Sequence, residues 1–145
     1  MKALKSFLLF FILPLLFAGC TPRITSVYNL NLGGERIASI GDIFFDHEEG
    51  WNVVGDIDPF HYDPFKFDLT IVELTDQKIG LRYAEYIRSN LGEKGGFGIR
   101  FVWLIKAGFN KRFDYVVADK VVRFKDYEFD IVSVEKGQIK YKRIK

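Results

Sequence analysis

FKDYEFDIVSVEKGQIKYKRI, residues 124–144, decides the fold class. Tyr127 to Val134 and Gln138 to Ile144 are alternating segments, and Glu135-Lys136-Gly137 lies between them as a turn. Two such runs around a glycine-bearing turn predict a β-hairpin. The pattern continues upstream. Lys120 to Phe124 and Phe109 to Val117 read as strands, and Ile99 to Ile105, nearly all apolar, predicts a strand covered on both faces. In Phe65 to Leu74 the residues Phe67, Leu69 and Ile71 share one face, with Asp68 and Thr70 opposite. Thr75 to Lys78 is a turn and Ile79 to Ile87 the returning strand. Its segment LRYAEYI has helical propensity, but Leu81, Tyr83 and Tyr86 fit no single helical stripe. Ile24 to Leu32, Glu35 to Ile40 and Ile43 to Phe45 complete the set, separated by Gly33-Gly34 and Gly41-Asp42. Short strands with turns every few residues predict an all-β domain: one small antiparallel sandwich or barrel of about eight or nine strands.

Periodicity fails over Asp46 to Pro64, DHEEGWNVVGDIDPFHYDP. Acids, aromatics and two Asp-Pro steps read as a long surface loop, and unstructured loops of that length are often functional. Trp51, Phe60 and Tyr62 are its candidate partner-binding residues, since exposed Trp and Tyr serve as interface anchors. On this reading, a short Gly-Ser linker in place of the loop leaves the melting temperature nearly unchanged. There is also a weak internal repeat: Leu81-Arg82-Tyr83-Ala84-Glu85-Tyr86 parallels Val122-Arg123-Phe124-Lys125-Asp126-Tyr127. Each copy follows a strand opened by Phe-Asp, which suggests two hairpins packed alike.

The N-terminus has a different character. In MKALKSFLLFFILPLLFAGC, Lys2 and Lys5 precede an uncharged apolar run from Phe7 to Phe17, and Ala18-Gly19 precedes Cys20. This is the layout of a secretory signal. The run falls short of the roughly 20 residues a membrane helix needs, and Pro14 interrupts it. Phe17-Ala18-Gly19-Cys20 resembles the lipobox of bacterial lipoproteins, with Phe17 in the place usually held by Leu. That resemblance implies cleavage after residue 19, a covalent lipid on Cys20 and a lipid-anchored domain over 20–145. Cys20 is the one cysteine in the chain, so no intramolecular disulfide forms, and acylation accounts for it. Thr21 in place of Asp favours the outer membrane over the inner in a diderm cell. The rest of the chain resembles small, β-rich lipoproteins, especially over residues 124–144, and that likeness carries no activity with it.

The formal charge of +2 resides in the leader lysines. The remainder is close to neutral, which argues against a nucleic-acid partner. Charge is unevenly spread along the chain: residues 42–74 hold nine acids against Lys66 alone, and residues 76–145 hold sixteen Lys and Arg against nine acids. Internal complementarity between the two stretches is the simplest account.

Chemical motifs are sparse. His47 and His61 lie among Asp46, Glu48, Glu49, Asp56, Asp58 and Asp63, and imidazole with carboxylate suits a transition metal. However, the spacing matches no ligand motif. Asp56-Ile57-Asp58 opens like a calcium loop, but Phe60 occupies the third ligand position. His47, His61, Asp56 and Asp58 are therefore weak candidates, and no metal or other cofactor is expected beyond the lipid on Cys20. No serine lies in a GxSxG elbow, and Glu93 to Gly98 lacks the ending of a phosphate loop. These readings point to a non-enzymatic envelope lipoprotein, attached to the membrane by its acylated N-terminus and contacting a protein or surface component. The alternatives are a carrier or chaperone whose aromatics line a cavity for an apolar ligand, and a metal-dependent enzyme using His47 and His61.

Overall fold

The structure, a computed structural model, describes residues 23–52, 62–90 and 101–145. Two compact units divide the chain, residues 1–25 with 49–64 and residues 26–48 with 65–145. The described residues of the first are ends of three strands. The second holds the whole core and is considered below.

The fold is all-β. Nine strands lie among the described residues: β1 Arg23–Tyr28, β2 Glu35–Ser39, β3 Ile43–Asn52, β4 Tyr62–Leu74, β5 Lys78–Asn90, β6 Phe101–Val116, β7 Val121–Phe124, β8 Tyr127–Glu135 and β9 Gln138–Arg143. They form a five-stranded sheet, β1-β3-β4-β5-β6, and a four-stranded sheet, β2-β9-β8-β7. Pairing is antiparallel along β4-β5-β6 and throughout the second sheet. The closing hairpin forms as its sequence predicts. Lys136 and Gly137 both have positive φ, 51° and 76°, which is the two-residue turn whose twist suits paired strands. At the β2–β3 corner Gly41 has φ 93°, the Asp42 carboxylate accepts the Ser39 N–H at 2.8 Å, and Gly41 N–H donates to the Ile71 carbonyl. The corner thus carries the chain from one sheet to the other and pins it to β4.

Alternation places Phe67, Leu69 and Ile71 of β4 and Ile79 and Leu81 of β5 inward, where they meet Val122, Phe129, Ile139 and Tyr141 of the second sheet. The two inner faces form a sandwich core, and all nine of these side chains are almost fully buried. Aromatic contacts bind the layers: Phe44 stacks on Tyr141 with centroids 4.0 Å apart and meets Phe129 edge-on at 5.0 Å. Two tyrosine hydroxyls also cross between sheets. Tyr141 donates to the Phe44 carbonyl, and Tyr115 to the Arg123 carbonyl at 2.8 Å. Burial raises both phenols above their ordinary value, so they remain donors.

Several expectations are corrected. The proposed loop at Asp46 is strand: β3 continues to Asn52 and β4 begins at Tyr62. Alternation in fact persists, with Phe45 and His47 buried and Asp46 and Glu48 less so. It was hidden because a histidine occupies an inward position. Replacing 46–64 would therefore remove strand residues and the buried His47, so a loss of stability is expected in place of a neutral effect; residues 53–61 of the segment lie outside the described residues. Ile99 to Ile105 and Phe109 to Val117 belong to a single strand, β6, apart from residues 99–100, which lie outside the described residues, and Val117, which opens a short 3-10 turn. Its pairing jumps from Ala84↔Asn110 to Tyr86↔Ile105, so Lys106 to Phe109 bulge out opposite Glu85. Leu104 and Ile105 are exposed rather than covered on both faces, because β6 is an edge strand. Nor is the repeat two like hairpins, since β4 pairs with β5 whereas β6 and β7 lie in different sheets.

Candidate functional site

The rings inside the sandwich form a continuous belt. Tyr28 of β1 stacks on His47 of β3 at 4.8 Å, and His47 meets Phe67 of β4 edge-on at 5.5 Å. Phe67 in turn approaches Phe65, Tyr83 and Phe124 at 5.7–5.8 Å, and Tyr83 and Phe124 lie 5.0 Å apart across the two sheets. His47 is 6% exposed, and its Nδ1 lies 2.8 Å from the Tyr127 hydroxyl. The imidazole is thus part of the core, held by a polar contact to the opposite sheet.

A cation sits on the belt at two places. The Arg143 guanidinium lies 4.4 Å from the Tyr28 centroid and 5.0 Å from that of Tyr127. It also donates to the Leu30 carbonyl at 3.2 Å and the Lys145 carbonyl at 3.1 Å, tying the end of β9 to the turn after β1. The Lys125 ammonium lies 4.6 Å from Phe67, 4.8 Å from Tyr83, 4.9 Å from Phe65 and 5.8 Å from Phe124. It donates to the Tyr83 hydroxyl at 2.7 Å and is 3.6 Å from Glu85, while Tyr83 donates to Glu85 in turn. Burial lowers the Lys125 ammonium below its ordinary value, against the pull of Glu85. Burial by itself would raise Glu85, but the Tyr83 hydroxyl, Lys125 and Lys106 outweigh it and hold the carboxyl below its ordinary value. Desolvation and hydrogen bonding to Glu85 push the Tyr83 phenol up. Each ring contact contributes on the order of 0.5–1 kcal/mol to holding a cation at such a site.

The other face of the larger sheet carries a second, polar cluster. Lys66 pairs with Glu48 and lies 5.8 Å from the Trp103 ring, and Tyr86 donates to Asp68. Burial, reinforced by Asp68, pushes the Tyr86 phenol up to about 12. Asp46 keeps one buried carboxylate oxygen without a hydrogen-bond partner. Burial raises its pKa, against the opposing pull of Lys66 and with help from Glu48. An acid whose folded pKa is raised binds more protons folded than unfolded, so stability falls as pH rises through that window. Asp46→Asn should therefore unfold at higher urea than the parent at pH 7, with the difference vanishing below about pH 4. The gain should stay under about 1 kcal/mol, because the group is partly hydrated and screened. A variant less stable than the parent at neutral pH would show that Asp46 is favourably placed as a charge.

The residues singled out from sequence fare unequally. Trp51 falls at the end of β3 and Tyr62 at the start of β4. Cys20, Asp56, Asp58, Phe60, His61 and the Glu93 to Gly98 segment lie outside the described residues. Among the described residues no group of three His, Cys, Asp or Glu side chains could share a metal ion. Part of the charge asymmetry resolves as complementarity, since Glu73 pairs with both Lys78 and Arg112. Sequence reading missed the Lys125 cluster. Its signal was the weak repeat, which aligned Tyr83 with Phe124, the two rings that face each other beneath the ammonium. In comparisons with known proteins, no family model matches the chain, and neither a curated protein nor a solved structure matches it significantly.

Proposed function

We propose that the chain is a lipid-anchored envelope lipoprotein, held in the outer membrane through Cys20, whose β domain binds a partner protein without catalysing a reaction. The anchor rests on the Ala18-Gly19-Cys20 ending after an apolar leader. The binding role is carried by one observation: exposed Ile87 of β5 and Leu104 of β6 lie side by side on one face near the sheet edge. Ile87 and Leu104 are direct cross-strand partners, whereas Ile105, the next residue and paired with Tyr86, turns its exposed side chain to the opposite face. Contiguous exposed apolar surface of this kind marks protein contacts. Lys111, paired with Tyr83 on the same face of β5 as Ile87, is exposed as well, so the partner we commit to presents an apolar contact bordered by acidic groups. Most of the described aromatics pack ring against ring within the sandwich, so their abundance supports core filling in preference to a large open cavity for an apolar ligand.

A photo-crosslinking residue at Leu104 in the full-length, membrane-held protein should yield a discrete adduct. The same residue at Val132, exposed on the other sheet, should not. Adding Ile87→Asp, beside Leu104 on the same face, should remove most of the Leu104 adduct, since a charge placed in a desolvated contact costs several kcal/mol. Equal adducts from both positions, or an adduct indifferent to Ile87→Asp, would reject this surface as the binding site.

A further inference from the structure

The Lys125 cluster has the composition of a ligand site. Three of its rings, Phe67, Tyr83 and Phe124, are buried, whereas Lys125 itself is exposed. Lys125 lies in the β7–β8 turn with φ 50°, a left-handed conformation, and its stem folds back so that the ammonium reaches the rings. Four ring faces, one carboxylate and one phenol oxygen converge on that single cation. An ordinary core would place an aliphatic side chain over these rings. An ordinary turn lysine would extend into water, where its strongly hydrated ammonium loses nothing. The stem is flexible and starts at the surface, so the ammonium can leave without disturbing either sheet. Its departure uncovers aromatic faces beside Glu85, the arrangement that recognises alkylammonium groups.

We infer that the cage formed by Phe65, Phe67, Tyr83, Phe124 and Glu85 is a binding site for an external alkylammonium group, and that Lys125 is its displaceable stopper. The ligand is an amine on an alkyl chain, carried either by a lipid headgroup or by a free amine. Lys106, 3.5 Å from Glu85, sets a second positive charge beside the carboxylate, which disfavours polycations. A tethered competitor raises the concentration an external ligand needs, so the stopper sets a threshold and leaves the chemistry of the site unchanged.

The test uses the full-length protein in phosphatidylglycerol nanodiscs, with lysine side chains isotopically labelled for NMR. The Lys125 ε-methylene protons, lying over ring faces, should resonate upfield of the other lysines. Titration with n-butylammonium chloride, against potassium chloride at equal ionic strength, should move them to the ordinary lysine position. Lys125→Ala should bind butylammonium about tenfold more tightly or better, read from the Tyr83 ring signals, because its competitor is gone. Glu85→Gln should weaken binding several-fold. If Lys125→Ala fails to fold, displacement in the parent protein decides alone. A Lys125 signal that butylammonium does not move makes the cluster a permanent internal clasp and overturns the inference. Displacement by phosphatidylethanolamine in the disc, without added amine, assigns the lipid headgroup; displacement by butylammonium alone assigns a free amine. The lipid arm rests on the membrane anchor proposed above, whereas the butylammonium arm does not, so the two readings fail separately.

Discussion

Phe67→Ala should lower the unfolding free energy by about 3–5 kcal/mol, the usual cost of removing a fully buried ring and leaving its cavity. Phe67 is 1% exposed. It stands where β3, β4, β5, β7 and β8 meet, with ring centroids from Phe45, His47, Phe65, Tyr83, Phe124 and Tyr127 all between 5.5 and 6.1 Å. Relaxation cannot close the gap, because each neighbour is already held by others: Phe45 by Phe129, Phe124 by Phe113, His47 by Tyr28. For a domain of this size the loss corresponds to a melting temperature lower by roughly 10–20 °C. Val132→Ala, on the exposed side of β8, is the control and should change stability by no more than about 0.5 kcal/mol. Denaturant unfolding of both variants measures the contrast. A loss at Phe67 comparable to that at Val132 would mean that the ring belt is not packed as described.

Cys20→Ala should have the largest effect on where the protein resides. In the parent, the intact mass of the membrane-extracted chain should begin at Cys20 and carry at least a diacylglycerol increment. At about 0.8 kcal/mol per buried methylene, two or more acyl chains make membrane attachment effectively permanent. Among the described residues no helix is long and apolar enough to cross a membrane, so none of these residues supplies a helical substitute for the lipid. The alanine variant cannot be acylated at residue 20, and should be found in the soluble envelope fraction or held only by an uncleaved leader. A chain without added lipid in the parent, or equal retention of parent and variant by a matured chain, would sink the lipoprotein reading.

The two variants probe different kinds of information in the chain. The proposed leader can be read without a fold because export signals are recognised as linear sequence: charge, apolar run, small residues, cysteine. The strands are legible for a related reason. Side chains alternate with period two along an extended backbone, and turns need residues that tolerate positive φ, as at Gly41 and Lys136-Gly137. Both rules act over a few residues. His47 shows where they stop. Its polarity suggested a loop, but the alternation of β3 turns it inward, and Tyr127, far along the chain, supplies the polar contact that makes burial tolerable.

The Lys125 cage marks the same boundary more sharply. Nothing local to FKDY announces that its lysine will lie over Phe65, Phe67 and Tyr83, because those rings arrive from the opposite sheet. The amino-acid sequence by itself determined that residues 23–145 fold largely as antiparallel strands with turns at the glycine-bearing steps, and it alone carries the proposal of a lipobox-ended leader. It also determined which residues of each strand share a face. Only the tertiary structure decided which of those faces is covered, and hence that Tyr83, Phe124 and His47 are interior while Leu104 and Ile105 are surface. The physical reason is that alternation is a property of one backbone, whereas burial depends on which sheet packs against it.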